Sequence, residues 1–205
     1  MALPSVAAAG NGGNRGRASW RAELPTLALP RVTLREVLPE DAAPLAASLS
    51  TPEVQEFLPL GPTDEAGFAR FIRWVRRERR AGRYVCFALV PRDTGTASGL
   101  FQLWPIEPGF GTAEMGFALA SSLWGTGVFQ ESAAAIVDFA IDTLGVRRLE
   151  CRSATANARG SAALRKLGAV AEGTLRECFR CPGGYLDHMM WSLLASEWRA
   201  ARGAR

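Results

Sequence analysis

The chain has 205 residues, 48% of them hydrophobic and 21% charged, with a formal net charge of +4. That is an ordinary globular balance, long enough for one domain with a full core plus a tail. It excludes a membrane-spanning helix, because no apolar run approaches the length of a span. The mild basic bias, with Arg15, Arg17 and Arg21 at one end and Arg199, Arg202 and Arg205 at the other, suits a polyanionic cofactor and tolerates nucleic acid without requiring it.

Residues 1 to about 28 are rich in Ala, Gly, Asn and Arg and bury too little apolar surface to offset ordering entropy. They read as a disordered or loosely packed tail, with Trp20 as its one anchor. Arg31 to Val37 is the first strand. Pro39-Glu40-Asp41 opens a helix that ends near Thr51-Pro52. A second helix runs from about Thr63-Asp64 to Ala81-Gly82. Its apolar stripe is Phe68, Phe71, Ile72 and Val75, and its outer face carries Arg70, Arg73, Arg76, Arg77 and Arg80, a solvated face. Tyr84 to Val90 is nearly all apolar and reads as a central strand. Gly99 to Ile106 and Thr112 to Leu119 form a hairpin, and a helix follows from Val128 to Leu144. Arg148 to Ser153 alternates as a half-buried strand. Asn157 caps a short helix that ends at Gly168, and two strands, Val170 to Arg180 and Tyr185 to Leu194, close the chain. The count is seven strands and about four helices, with residues 199–205 as a C-terminal tail.

Glu114 to Glu131 is the informative stretch. Met115, Phe117 and Leu119 alternate with Glu114, Gly116 and Ala118, as in a strand. Gly125 and Gly127 then permit a tight turn into the helix. A helix start leaves unpaired N–H groups and a partial positive charge, so bare glycines there admit a phosphate. No Gly-Lys-Ser/Thr follows, which excludes a P-loop. Gln130 stands where a dinucleotide fingerprint needs its third glycine.

Glu114-Met-Gly-Phe117, then Trp124-Gly-Thr-Gly127, then Asn157 and Leu167-Gly168, resemble the GNAT superfamily of N-acetyltransferases. The branch most similar is that of the Rim-type (RimJ/RimL-like) ribosomal-protein N-terminal acetyltransferases, over roughly residues 29–198. The resemblance implies an α+β fold, layered α/β/α: a mixed, mostly antiparallel seven-stranded sheet that splays open for acetyl-CoA. Under it the phosphate is the cofactor's pyrophosphate. The implied cofactor contacts are Phe117, Ala118, Leu119, Trp124, Gly125, Thr126, Gly127, Val128, Phe129, Gln130 and Asn157. Trp124 replaces the superfamily's polar first loop residue, and Phe129 stands where Gly or Ala is usual.

Acetyl transfer needs a neutral amine, a polarised thioester carbonyl and a leaving thiolate. With a thiol pKa near ~8.5 the thiolate leaves tolerably unassisted, so an acid is the least necessary part. Glu114 is the candidate base, its carboxylate poised if burial raises its pKa. The branch usually has serine three residues after its asparagine. That position here is Gly160, and Ser161, one step on, is the candidate acid, turned about 100° around the helix.

Cys86 and Cys151 lie within apolar strands, where a thiol stays protonated and inert, so direct attack in a ternary complex is expected. Cys178 and Cys181 have metal-ligand spacing but no second pair beyond lone His188, which reads as structural or exposed; no metal is expected. Four cysteines without a framework, and an N-terminus without signal-peptide order, lead us to expect a cytoplasmic protein. The expected partner is an amine: a protein N-terminus or, alternatively, a small molecule or antibiotic. A non-catalytic acyl-CoA-binding protein is a third reading. Neither a membrane nor a specific nucleic acid is expected as a partner, and a homodimer is left open.

Overall fold

A twisted sheet is the frame of the molecule, and its strand order positions the site. The computed structural model describes residues 19–203. The strands are β1 (Leu27–Ala28), β2 (Val32–Glu36), β3 (Val85–Pro91), β4 (Gly99–Pro105), β5 (Thr112–Leu119), β6 (Arg148–Ala154), β7 (Val170–Cys181) and β8 (Gly184–Leu194). They lie in the order β1-β2-β3-β4-β5-β6-β8-β7, and each neighbouring pair is antiparallel except β5 with β6. The α-helices are α1 (Ser19–Ala22), α2 (Ala42–Leu49), α3 (Pro52–Gln55), α4 (Glu65–Arg80), α5 (Val128–Phe139), α6 (Ala158–Leu167) and α7 (Ala195–Gly203).

The fold class agrees with the expected mixed, mostly antiparallel α+β architecture, while the counts differ. Eight strands replace seven, because β1 is two residues long, too short for any alternation to show. Seven α-helices replace about four among the described residues. Two of the added ones, α1 and α3, are single turns, and α7 follows directly from β8.

Helices cover both faces of the sheet. Along β3, Val85, Phe87 and Leu89 join the core beneath α5, while Cys86, Ala88 and Val90 join the core beneath α2 and α4. That two-sided burial is why the strand is apolar at every position. The predicted stripe of α4 is seated as expected, with Phe68, Ile72 and Val75 buried. Asp64 caps its start by accepting from the Gly67 N–H at 2.6 Å. Ala140–Leu144 extends α5 as one π turn, which ends at left-handed Gly145.

The expected N-terminal tail, residues 1 to about 28, is described from Ser19 onward; its earlier part lies outside the described residues. Trp20 and Leu24 are core residues, and the Trp20 ring meets Phe110 edge-on at 5.7 Å. The guanidinium of Arg79 is buried under this turn. It donates to the carbonyls of Trp20 and Arg21 and pairs with Glu36 at 3.0 Å. Arg79 is not part of the expected outer stripe of α4. Within that stripe, Arg76 reaches Glu36 at 3.7 Å, and Arg70, Arg73 and Arg80 are exposed. At the other end, α7 runs into the expected tail as far as Gly203, with Arg202 bridging to Asp138 at 2.7 Å; residues 204–205 lie outside the described residues.

Candidate active site

The site begins where two neighbouring strands part. β5 is paired with β4 from Ala113 to Leu119, but with β6 it is paired only at Thr112, Ala113 and Glu114. From Met115 to Leu119 its outer edge has no strand partner, and a wedge opens between β5 and β6. Parallel strands need a long crossover, and here that crossover is the glycine turn and α5. The wedge and the helix start are therefore built by one continuous segment.

The turn is shaped by two left-handed glycines, Gly125 (φ +75°) and Gly127 (φ +85°). Gly127 is the N-cap of α5 and, having no side chain, makes no cap hydrogen bond. Of the first amides, the Val128 N–H makes a long bond of 3.4 Å to Thr126 Oγ1, and the positive end of the helix dipole favours an anion there. Arg31 braces the loop from β2's side. Its Nε and backbone N–H donate to the Glu131 carboxylate at 3.0 Å each, and its Nη1 donates to the Thr126 carbonyl. A Cβ at Gly127 would sit 3.1 Å from Arg31 Nη2, so the glycine also makes room for the guanidinium.

Trp124 does not reach outward as a polar residue would. Its Nε1 donates to the Leu119 carbonyl at 3.1 Å, and the Arg159 guanidinium lies 3.4 Å over its ring. Phe129 turns inward against Phe117 (4.7 Å) and Phe101 (5.9 Å). The bulk at that loop position is thus absorbed by an aromatic cluster. The side chain of Gln130 is spent on α6, donating to the Ala163 carbonyl at 2.8 Å.

Two cavities flank the wedge. The smaller, about 330 Å³, runs along the glycine turn between Trp124, Gly125, Gly127 and Phe129, with Arg159 and Lys166 on its wall. The larger, about 520 Å³, lies on the other side. They share Phe117, Ala118, Asn157 and Gly160, so they meet at the open edge of β5. Asn157 stands at that junction and caps α6, accepting from the Gly160 N–H at 2.8 Å. A Cβ at residue 160 would come 2.8 Å from Asn157 Nδ2. A side chain at this position would have to shift the Asn157 amide in its present pose.

Glu114 lies on the floor of the larger cavity, 6% exposed, at the last paired position before the wedge. Burial pushes its carboxyl above the usual carboxylate range. The Arg152 guanidinium opposes that, while neighbouring Glu150 adds to it. Arg152 Nη2 is 3.5 Å from Glu114 Oε2.

Ser161 lines neither cavity. Its hydroxyl is 3.0 Å from that of Ser153, which in turn accepts from Trp191 Nε1 at 2.9 Å. Of the other sequence-predicted residues, Thr126 and Val128 also line neither cavity, Val128 being buried in the core and Thr126 Oγ1 donating to the Leu123 carbonyl at 2.7 Å, while the rest meet around the wedge. Cys86 and Cys151 are fully enclosed, and burial pushes both thiols up, as expected of inert cysteines.

Sequence reasoning missed Arg152, which it treated as one more alternating position, and it set His188 aside. His188 is buried, lines the larger cavity, and holds its Nδ1 3.0 Å from the Leu186 carbonyl with Phe179 edge-on at 5.1 Å. Both face the cavity because β6 and β8 are neighbours in the sheet, pairing Ala154 with His188. Strand order is not written locally in the chain, so no local signal could have joined them.

A family model described as an acetyltransferase (GNAT) domain matches residues 31–170. An uncharacterized N-acetyltransferase, p20, of Bacillus licheniformis is 28% identical over 176 residues, which is 85% of this chain and 99% of that one. Among solved structures, the ribosomal-protein-S5-alanine acetyltransferase of Vibrio fischeri superposes with a TM-score of 0.76. It is 16% identical and covers 85% of this chain and 98% of its own. RimJ of Mycobacterium smegmatis, in complex with CoA-disulfide, has a TM-score of 0.76 and 22% identity, covering 87% and 93%.

Proposed function

The chain belongs to the acetyltransferase (GNAT) family, and from that premise we propose that it moves the acetyl group of acetyl-CoA onto a primary amine in a ternary complex, with protein N-termini among the acceptors. The observation that carries this reading is the meeting of two cavities at the open edge of β5, one leading to an uncapped helix start and the other to a buried carboxyl.

The residues fit the cofactor. The amides at the start of α5, opened by Gly125 and Gly127 and backed by Arg31, suit its pyrophosphate. The unpaired edge from Phe117 to Leu119 suits its amide-bearing arm, and Asn157 stands where the two cavities join. When bound, acetyl-CoA supplies an acetyl thioester. Transfer joins the amine nitrogen to the acetyl carbon, breaks the carbon–sulfur bond, and releases a thiol and one proton.

Glu114 is the group that takes that proton in this scheme. An amine arrives mostly as ammonium at neutral pH and must lose a proton to attack. A carboxyl held above its ordinary range by burial is a stronger proton acceptor, once ionised, than an exposed one. The backbone amides of β5's open edge are the donors available to charge developing on the carbonyl oxygen. Ser161 takes no part, since its hydroxyl is engaged by Ser153 and the thiolate leaves unprotonated.

Likeness to the ribosomal-protein-S5-alanine acetyltransferase favours a protein acceptor. The larger cavity is of a size that also encloses a small molecule, which keeps a free amine as the second reading. Incubation with labelled acetyl-CoA, followed by mass analysis of candidate peptides and small amines, separates the two. Transfer to peptide α-amines alone selects the first; no transfer to any amine rejects both.

A further inference from the structure

We propose that Arg152 is an acceptor-orienting residue and that the acceptor is an apolar α-amino acid unit, whose amine meets Glu114 while its own carboxylate or carbonyl oxygen meets Arg152. This rests on the acetyltransferase reading above and narrows it to one substrate chemistry.

Arg152 is poorly served by the protein. A guanidinium has five donors in a planar fork, and burying it without partners is costly. Among the described residues Arg152 makes no short hydrogen bond. Its Nε is buried with no partner at all. Its one charge partner, Glu114, is 3.5 Å away, and Phe179 lies beneath its face at 5.3 Å. Half-buried Arg35 and buried Arg79 are by contrast satisfied: Arg35 grips Asp41 through two bonds of 2.7 and 2.8 Å, and Arg79 has Glu36 and two carbonyls. Arg152 instead lines the larger cavity with donors unspent, and a planar oxygen pair is what its fork matches.

The rest of the cavity sets the other terms. Glu114 and Arg152 are the two charged side chains among its described lining residues. A single anion and a single cation, 3.5 Å apart, complement an ammonium and an oxygen carried on neighbouring carbons. A polyamine would need further carboxylates and would leave Arg152 facing a like charge. Phe57, Phe71, Trp104 and Phe179 supply the apolar wall, which suits an apolar side chain beside that amine. A free amino acid and the first residue of a polypeptide both present this chemistry.

The test compares kcat/KM of the full chain for phenylalanine, a phenylalanyl peptide amide and phenethylamine, together with the leucine counterparts. Phenethylamine keeps the amine and ring and lacks the oxygen. The better of the two oxygen-bearing acceptors should exceed it by about 10–100-fold, the usual range for a hydrogen bond to a charged group. Arg152→Met should shrink that ratio to within a few-fold, and Arg152→Lys should restore part of it. A purely structural arginine would lower all rates together and leave the ratio alone. In Arg152→Met the acid limb of the pH profile should also move up, since a cation that lowers the Glu114 pKa is gone.

Preference for free phenylalanine assigns the site to amino acids, and preference for the peptide assigns it to chain termini; each supports the proposal. Equal transfer to phenethylamine overturns it while leaving the acetyltransferase reading intact, and so does a ratio that survives in Arg152→Met. Transfer to none of these acceptors, with acetyl-CoA binding intact by calorimetry, also overturns it. Loss of acetyl-CoA binding in the unaltered protein overturns the underlying reading and the proposal with it.

Discussion

Glu114 is held between two opposing pressures, burial that favours its neutral form and Arg152 that favours its charge. Burial wins, so the carboxyl needs a higher pH than an exposed one to become a base. Activity should therefore fall on the acid side along a limb lying above the ordinary carboxylate range, read from kcat/KM against pH. Glu114→Gln keeps the size and removes the proton acceptor. Turnover at neutral pH should drop by ~10²–10⁴-fold, and the deficit should shrink as pH rises and more amine arrives neutral. Ser161→Ala should leave turnover and acetyl-CoA affinity unchanged, because that hydroxyl faces Ser153 and lines neither cavity. Large loss in Ser161→Ala with full activity in Glu114→Gln would reverse the two assignments. At this scale the sequence was readable where a residue acts with its chain neighbours. Asn157 and Gly160 could be judged by counting along one helix. Arg152 could not, since its meaning comes from Glu114 across a strand pair and Phe179 two strands away.

The glycine turn and α5 form the element on which the site depends most. Two left-handed positions and an uncapped end concentrate backbone donors at one point. Gly127→Glu should abolish acetyl-CoA binding. It forces a side chain into left-handed backbone, crowds Arg31, and sets a carboxylate where an anion must bind. Unchanged affinity by calorimetry would remove the pyrophosphate assignment. This element was legible because its signals are local: alternation up to Leu119, two glycines, then apolar residues at helical spacing. Loop residue Phe129 was not, because a ring that would crowd an isolated turn is absorbed by Phe101 and Phe117 from two neighbouring strands. The π turn at Ala140–Leu144 left no mark, because its apolar residues Ala140, Ile141 and Leu144 keep helical spacing.

The whole molecule is closed by segments whose composition predicts little order. Trp20 is 4% exposed, and the carbonyls of its turn accept from buried Arg79. Trp20→Ala should cost ~3–5 kcal/mol, the range for truncating a large buried aromatic. For a chain of this length that lowers Tm by roughly 6–20 °C in a thermal melt. A melt shifted by only a degree or two would show that the turn is ornamental. The layered α+β frame was readable from the order of elements, and the central place of β3 from its unbroken apolar run. Single-turn helices and a two-residue strand were not, because stability there comes from docking and not from local propensity. A sheet that opens at its middle also carries a raw edge at its middle. From Met115 to Leu119, β5 has extended backbone without a strand partner on that side among the described residues, with the Leu119 carbonyl taken by Trp124 Nε1. Whatever occupies the wedge hides that edge and draws the population toward the folded form in proportion to its concentration over Kd. On the proposed reading, the empty protein should self-associate sooner in concentrated solution than the same protein saturated with acetyl-CoA; equal light scattering from the two would show that the open edge is harmless.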